Sequence, residues 1–278
     1  MASNIGNFGL ALGGGGARGL AHIKILQVLD EMNLRPTKIA GTSMGALIGS
    51  LYAAGMSGLE IEEFARELFS KRTSFFKRIH KYQPKNFTRL FNFTTPAIIN
   101  SVSFFELIMQ EKLPETFAEL EIPFFVSTAD FHTQTEYVIS QGPIMPAIAA
   151  SSTLPALLKP VELDGRVLID GGFVNPVPYN LLTKDLDITI GVDVTGEPPH
   201  EDNKVPNSVD ALIGASQIML RSLTNAVIKL DPPSILVQPM VGRYNVLDYF
   251  KMDEIFKDTS PAIEKFQRDL DQILTIDA

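Results

Sequence analysis

Apolar and polar positions alternate between two rhythms along this chain. Phe8–Leu12 (FGLAL) is a short apolar run halted by glycines, the pattern of a buried strand. From Gly19 onward, Leu20, Ile23, Leu26, Val28, Leu29 and Met32 recur at helical spacing, and Asn33 and Pro36 end that helix. Lys38–Ala40 reads as a second short strand. Met44–Ala54 reads as a helix of small residues closed by Gly55, and Leu59–Phe69 as an amphipathic helix. Further on, Ile122–Thr128, Thr135–Ser140, Ile188–Val194 and Ser234–Gln238 have strand character. Val161–Leu163 and Arg166–Ile169, joined by Asp164-Gly165, form a hairpin. Val209–Ile228 and Pro261–Leu274 read as helices, and Pro146–Ala150 as a connection leading to Ser151. Strands interleaved with helices predict an α/β fold, a three-layer α/β/α sandwich around a mainly parallel sheet.

Two glycine-rich turns fall where strands hand over to helices: Gly13–Gly19 (GGGGARG) and Gly41-Thr42-Ser43-Met44-Gly45. Gly-x-Ser-x-Gly is what a sharp strand-to-helix elbow needs if a serine hydroxyl is to project from it, so Ser43 is the candidate nucleophile, flanked by Gly41 and Gly45. A serine needs a base and donors for an oxyanion. The backbone amides of Gly14, Gly15 and Gly16 are candidate donors, because consecutive βα turns of a parallel sheet sit side by side. The candidate base is Asp170, at the end of the hairpin's second strand, followed by Gly171 and Gly172, which let another backbone approach.

Rival readings of these residues fail on specifics. Gly14, Gly16 and Gly19 fit the dinucleotide-binding spacing, but the second strand ends at Ala40-Gly41-Thr42-Ser43 with no acidic residue for a ribose. No Gly-Lys-Ser/Thr follows the glycines, which excludes a P-loop. Of the histidines, His22, His80 and His132 stand in the first helix, the basic segment and a loop. The order Ser43…Asp170…His200 is that of an α/β-hydrolase triad, yet those folds place several strands before the elbow.

Composition adds an exclusion and an asymmetry. Of 278 residues 45% are hydrophobic and 20% charged, an ordinary globular balance. The chain has no cysteine, which excludes disulfides and cysteine-based metal or nucleophile chemistry. A net charge of −8 argues against nucleic acid as a partner. The N-terminus has no signal-peptide pattern, and no uninterrupted apolar run reaches the roughly 18 residues of a span, so a cytoplasmic protein is expected. Between Glu67 and Glu106 there is no acidic residue, while Lys71, Arg72, Lys77, Arg78, Lys81, Lys85 and Arg89 alternate with aromatic residues. Residues 68–105 therefore read as a basic–aromatic cap, either one whose phenylalanines pack on the core while its charges are solvated or one in peripheral contact with an anionic membrane.

Taken together, Gly14–Gly19 with the helix opening Leu20-Ala21-His22, Gly41–Ala46, Ala150-Ser151-Ser152 with Pro155, and Asp170-Gly171-Gly172 with Asn175-Pro176 resemble the patatin-like phospholipase family, in that family's order, over about residues 8–195. The resemblance implies one acyl hydrolase domain over 1–278 with the cap at about 68–110. It further implies a Ser43–Asp170 dyad, an oxyanion hole at Gly14–Gly16, and hydrolysis of phospholipid or other fatty acyl esters without metal or cofactor. Arg18 matches the motif's basic residue, and both orienting the loop and meeting a phosphate are open to it. Transfer of the acyl group to another alcohol, or lipid binding without catalysis, would use the same scaffold.

Overall fold

The computed structural model describes residues 6–69, 99–109, 112–155, 157–182, 185–197, 205 and 208–276. Most of the basic–aromatic segment, with His80, and the loop with His200 lie outside the described residues.

Five strands make the parallel half of one sheet, in the order β10 (Ile235–Val237), β9 (Ile188–Val192), β1 (Phe8–Leu12), β2 (Lys38–Thr42), β4 (Phe124–Asp130). Beyond β4 the sheet turns antiparallel: β5 (Thr135–Ile139) and β8 (Arg166–Asp170) both pair with β4, and β7 (Val161–Leu163) closes the hairpin with β8. A separate two-stranded parallel pair joins β3 (Ile99–Asn100) to β6 (Leu158–Lys159). The sheet is thus more mixed than the sequence reading of a mainly parallel one.

Side-chain alternation along β1 assigns the two faces. Phe8, Leu10 and Leu12 enter the large core, together with Ile190, Val192, Ile235 and Val237, while Ala11 turns to a smaller cluster with Ala40, Val177, Tyr179 and Leu182. The large core is covered by α1 (Ala21–Glu31), α2 (Met44–Ala53), α3 (Gly58–Phe69), α4 (Ser101–Met109), α5 (Ile144–Ser151) and α7 (Met252–Ile276). The thin opposite layer is a 3₁₀ turn, Tyr179–Leu182, joined by Val227 and Ile228 from the end of α6 (Ser208–Leu230). The result is an α/β/α sandwich with unequal layers.

Two helices differ from the sequence reading. Residues 144–151 form α5, with Pro146 in its first turn, where a missing N–H costs no intrahelical bond. Helix α7 starts at Met252 and runs through Pro261. An internal proline costs about 3 kcal/mol. Here a buried stripe of Met252, Ile255, Phe256, Thr259, Phe266 and Leu270 spans both sides of it and outweighs that loss.

Helix α6 also departs from expectation. Over Ala211–Leu230 its mean hydropathy is 1.2 and only 11% of the window is buried, so it is long and apolar enough to cross a membrane by length and composition. Ser216, Gln217, Arg221, Thr224 and Asn225 interrupt the apolar run, which hides that average from a search for uninterrupted stretches. Leu212, Ile218 and Met219 are exposed along it.

Candidate active site

The register of the sheet explains how distant residues meet. Thr42 is level with Ser127 of β4, and Asp170 is level with Thr128, the next residue along. Strand β8 arrives from beyond the carboxyl edge of the parallel half and stops at the height of the elbow. Ser43 Oγ accordingly donates to Asp170 Oδ2 at 2.7 Å. The other carboxylate oxygen, Oδ1, accepts from Gly172 N at 2.7 Å.

The elbow holds Ser43 at φ 53° and ψ −119°, a conformation that L-residues rarely adopt. It is over-determined by its surroundings. Ser43 N donates to Ser151 Oγ at 2.8 Å, and that hydroxyl donates onward to Ser127 O at 2.7 Å. Ser152 Oγ donates to Ser43 O at 3.2 Å. A Cβ on Gly45 would collide with Leu12 O, and one on Gly41 would lie 2.6 Å from the Ala46 Cα. Neither flank of the serine therefore has room for a side chain. A Cβ on Gly171 would likewise collide with Ser127 O.

The glycine loop is clamped from behind, and planarity of the peptide decides where its amides point. His22 Nε2 donates to Gly13 O at 2.8 Å; the Gly14 N–H of the same peptide unit points away and donates to Pro176 O at 2.9 Å. Gly14 is therefore committed to the backbone, which corrects the expectation that all three glycines offer free donors. Gly15 and Gly16 N–H make no bond among the described residues. Arg18 Nε donates to Gly15 O at 3.2 Å. That bond turns the Gly16 N–H, in the same peptide unit, to the opposite side. Arg18 Nη1 donates to Thr195 O at 2.5 Å and Nη2 to Gln217 Oε1. Of the two roles left open for Arg18, orienting the loop matches these bonds.

Burial sets the protonation states. It pushes the Asp170 carboxyl up to about 6, against the opposing pull of the Gly172 amide and the Ser43 hydroxyl. His22 is fully buried and pushed down to about 4, so at neutral pH it is an uncharged donor to the loop; its Nδ1 is buried without a partner. Arg18 is lowered to about 10 by burial, partly offset by Asp193. His132 lies on a loop, its ring edge-on to Phe131 and its backbone N–H donating to Asp130.

Ser43, Asp170 and the loop glycines open into a cavity of about 580 Å³, within the range of small-ligand sites. Leu47, Leu51, Phe64, Leu68, Phe105 and Ile108 give it a deep apolar wall. Gln217 and Tyr249 are among its few polar groups. The Tyr249 ring stacks on Phe69 with centroids 5.0 Å apart, and burial together with the Asp170 charge raises its phenol. The motif Ala150-Ser151-Ser152 does not by itself assign a role to Ser151. Gln217 and Tyr249 escape the sequence reading, because no local pattern marks residues that tertiary packing alone brings to the cavity. Among the described residues no cluster of three or more His, Asp or Glu side chains is arranged to hold a metal.

A family model described as Patatin-like phospholipase matches residues 10–183. An NTE family protein of Mycobacterium bovis is 32% identical over 190 residues, covering 67% of this chain and 49% of its own. The lysophospholipase NTE1 of Candida albicans is 29% identical over 90% of this chain and 19% of its own. The chain thus spans about half the length of the first relative and about a fifth of the second. Human GIVD cytosolic phospholipase A2, solved with methyl gamma-linolenyl fluorophosphonate, shares the fold with a TM-score of 0.50 at 12% identity, over 98% of this chain and 59% of its own.

Proposed function

This chain belongs to the patatin-like phospholipase family, and from that premise we propose that it hydrolyses fatty acyl esters of lipids through a Ser43–Asp170 dyad. The observation that carries this reading is the 2.7 Å bond from Ser43 Oγ to Asp170 Oδ2 at the wall of an apolar cavity, beside two amides that have no partner among the described residues. Ser43 Oγ attacks the ester carbonyl as its proton passes to Asp170 Oδ2. The Gly15 and Gly16 N–H groups receive the oxyanion, the α1 side of the loop adding favourable dipoles. Collapse expels the alcohol, which takes the proton from Asp170. Water then attacks the acyl-enzyme with Asp170 again as base, releasing the fatty acid and restoring Ser43.

The apolar wall suits one acyl chain. Contact with a lipid surface is supported by Leu247 and Phe250, partly exposed at the cavity, and by the exposed side of α6. A separate part of the proposal is that residues 68–105 add an anionic-membrane contact, tested by charge reversal at Lys77, Arg78 and Lys81 on anionic vesicles.

The test of the dyad is labelling with a fluorophosphonate probe alongside fatty acid release from a mixed lipid panel. Wild type should be labelled at Ser43 and release fatty acid, and Ser43→Ala should do neither while keeping its fold. Full turnover by purified Ser43→Ala protein would falsify the assignment.

A further inference from the structure

Arg18 fixes more than the glycine loop. A guanidinium carries donors only, so a carboxamide meeting it must present its oxygen and turn its NH₂ group away. Gln217 is in that position, with Oε1 accepting from Arg18 Nη2. It is half-buried on α6 between Ile213 and Leu220, and all three residues line the cavity that holds Ser43. Its NH₂ group makes no bond among the described residues, in a wall that is otherwise mostly apolar. A half-buried donor in such a wall is unfavourable until an acceptor arrives.

The substrate offers three regions. An acyl chain has no acceptor and suits the apolar wall. The carbonyl oxygen belongs with Gly15 and Gly16, and the Gly16 N–H points away from Arg18, whereas Gln217 lies against Arg18. The alcohol half of the ester remains. We propose that the Gln217 NH₂ group recognises an oxygen of that half, a glycerol hydroxyl or a phosphate oxygen, and so favours glycerol-based esters over simple alkyl esters. The inference rests on acyl hydrolysis at Ser43.

Three esters of one acyl chain test it: decanoyl glycerophosphocholine, monodecanoyl glycerol and ethyl decanoate, each assayed for kcat and KM with wild type, Gln217→Met and Gln217→Glu. Gln217→Met removes donor and acceptor together. Gln217→Glu keeps an oxygen for Arg18, loses the donor and adds a negative charge. Both variants should lower the preference for glycerol-based over ethyl ester by about 10-fold, the order expected for one hydrogen bond. In the neutral Gln217→Met, a loss confined to the glycerophosphocholine ester assigns the contact to phosphate, and a loss on both glycerol-based esters to a glycerol oxygen. Equal losses on all three substrates, or wild-type preference in Gln217→Glu, would overturn the proposal and leave Gln217 as a partner of Arg18 alone. A wild type inactive on all three, ethyl decanoate included, sinks the acyl-hydrolase reading and this inference with it.

Discussion

At the scale of single residues, the site depends on an aspartate that burial keeps from ionising easily. With its carboxyl near 6, Asp170 is ionised at neutral pH yet basic enough to take a proton from a serine in the transition state. The pH profile of kcat/KM should therefore rise through an apparent pKa near 6, and a flat profile from pH 5 to 8 would exclude Asp170 as the base. Asp170→Asn retains an oxygen for Gly172 N and should fold, but lose ~10²–10⁴-fold in rate. That Ser43 and Asp170 would meet was legible in the sequence, because each stands at a fixed place in a glycine-flanked turn at the end of a strand. The role of Gly14 was not, because its commitment to Pro176 depends on a segment in the other half of the chain.

At the scale of elements, helices and strands were readable wherever one periodicity ruled, as in β1, α1, α2 and the β7–β8 hairpin. Reading failed where a proline signalled a stop that a buried stripe overrode, as in α7. In α6 the helix itself was read, at Val209–Ile228, but not its span-like average, because polar residues break the apolar run. That helix has two jobs for its sides: Ile213, Gln217 and Leu220 line the cavity, while Leu212, Ile218 and Met219 face outward. Replacing those three outward residues by Ser should slow hydrolysis of dilute vesicle lipid by at least about 10-fold and spare a short soluble ester, since burying even one side chain of this size at an apolar surface is worth about 1.5–3 kcal/mol. Equal rates on vesicles for the variant and wild type would show that this side of α6 takes no part in contact with lipid.

At the scale of the whole molecule, two buried groups give stability opposite slopes with pH. Folded Asp170 binds its proton near 6, the unfolded chain nearer 4, so protonation stabilises the fold as pH falls through that interval. Its ionisation at neutral pH costs the fold about 3 kcal/mol. Folded His22 resists protonation down to about 4, while the unfolded chain takes that proton near 6.5. Stability is therefore lost as pH falls between those values, again by about 3 kcal/mol in all. Between pH 4 and 6 the two nearly cancel. Melting temperatures should therefore fall more steeply with acid in Asp170→Asn than in wild type. His22→Gln, which keeps a donor for Gly13 O, should instead gain relative to wild type over the same interval. Parallel curves for all three proteins would mean that neither group titrates as its burial dictates.

The twisted backbone at Ser43 sets catalysis against durability. A non-glycine residue in a sparsely populated conformation costs on the order of 1–3 kcal/mol, and the bonds from Ser151 and Ser152 hold it there. Ser43→Gly and Ser43→Ala both lack the hydroxyl, so comparing them isolates the backbone. The glycine variant should be the more stable by about 1 kcal/mol, although glycine normally weakens a fold relative to alanine. A selection for heat resistance blind to turnover would then weigh the relief of that backbone in a glycine against the bond to Asp170 that only the serine hydroxyl makes.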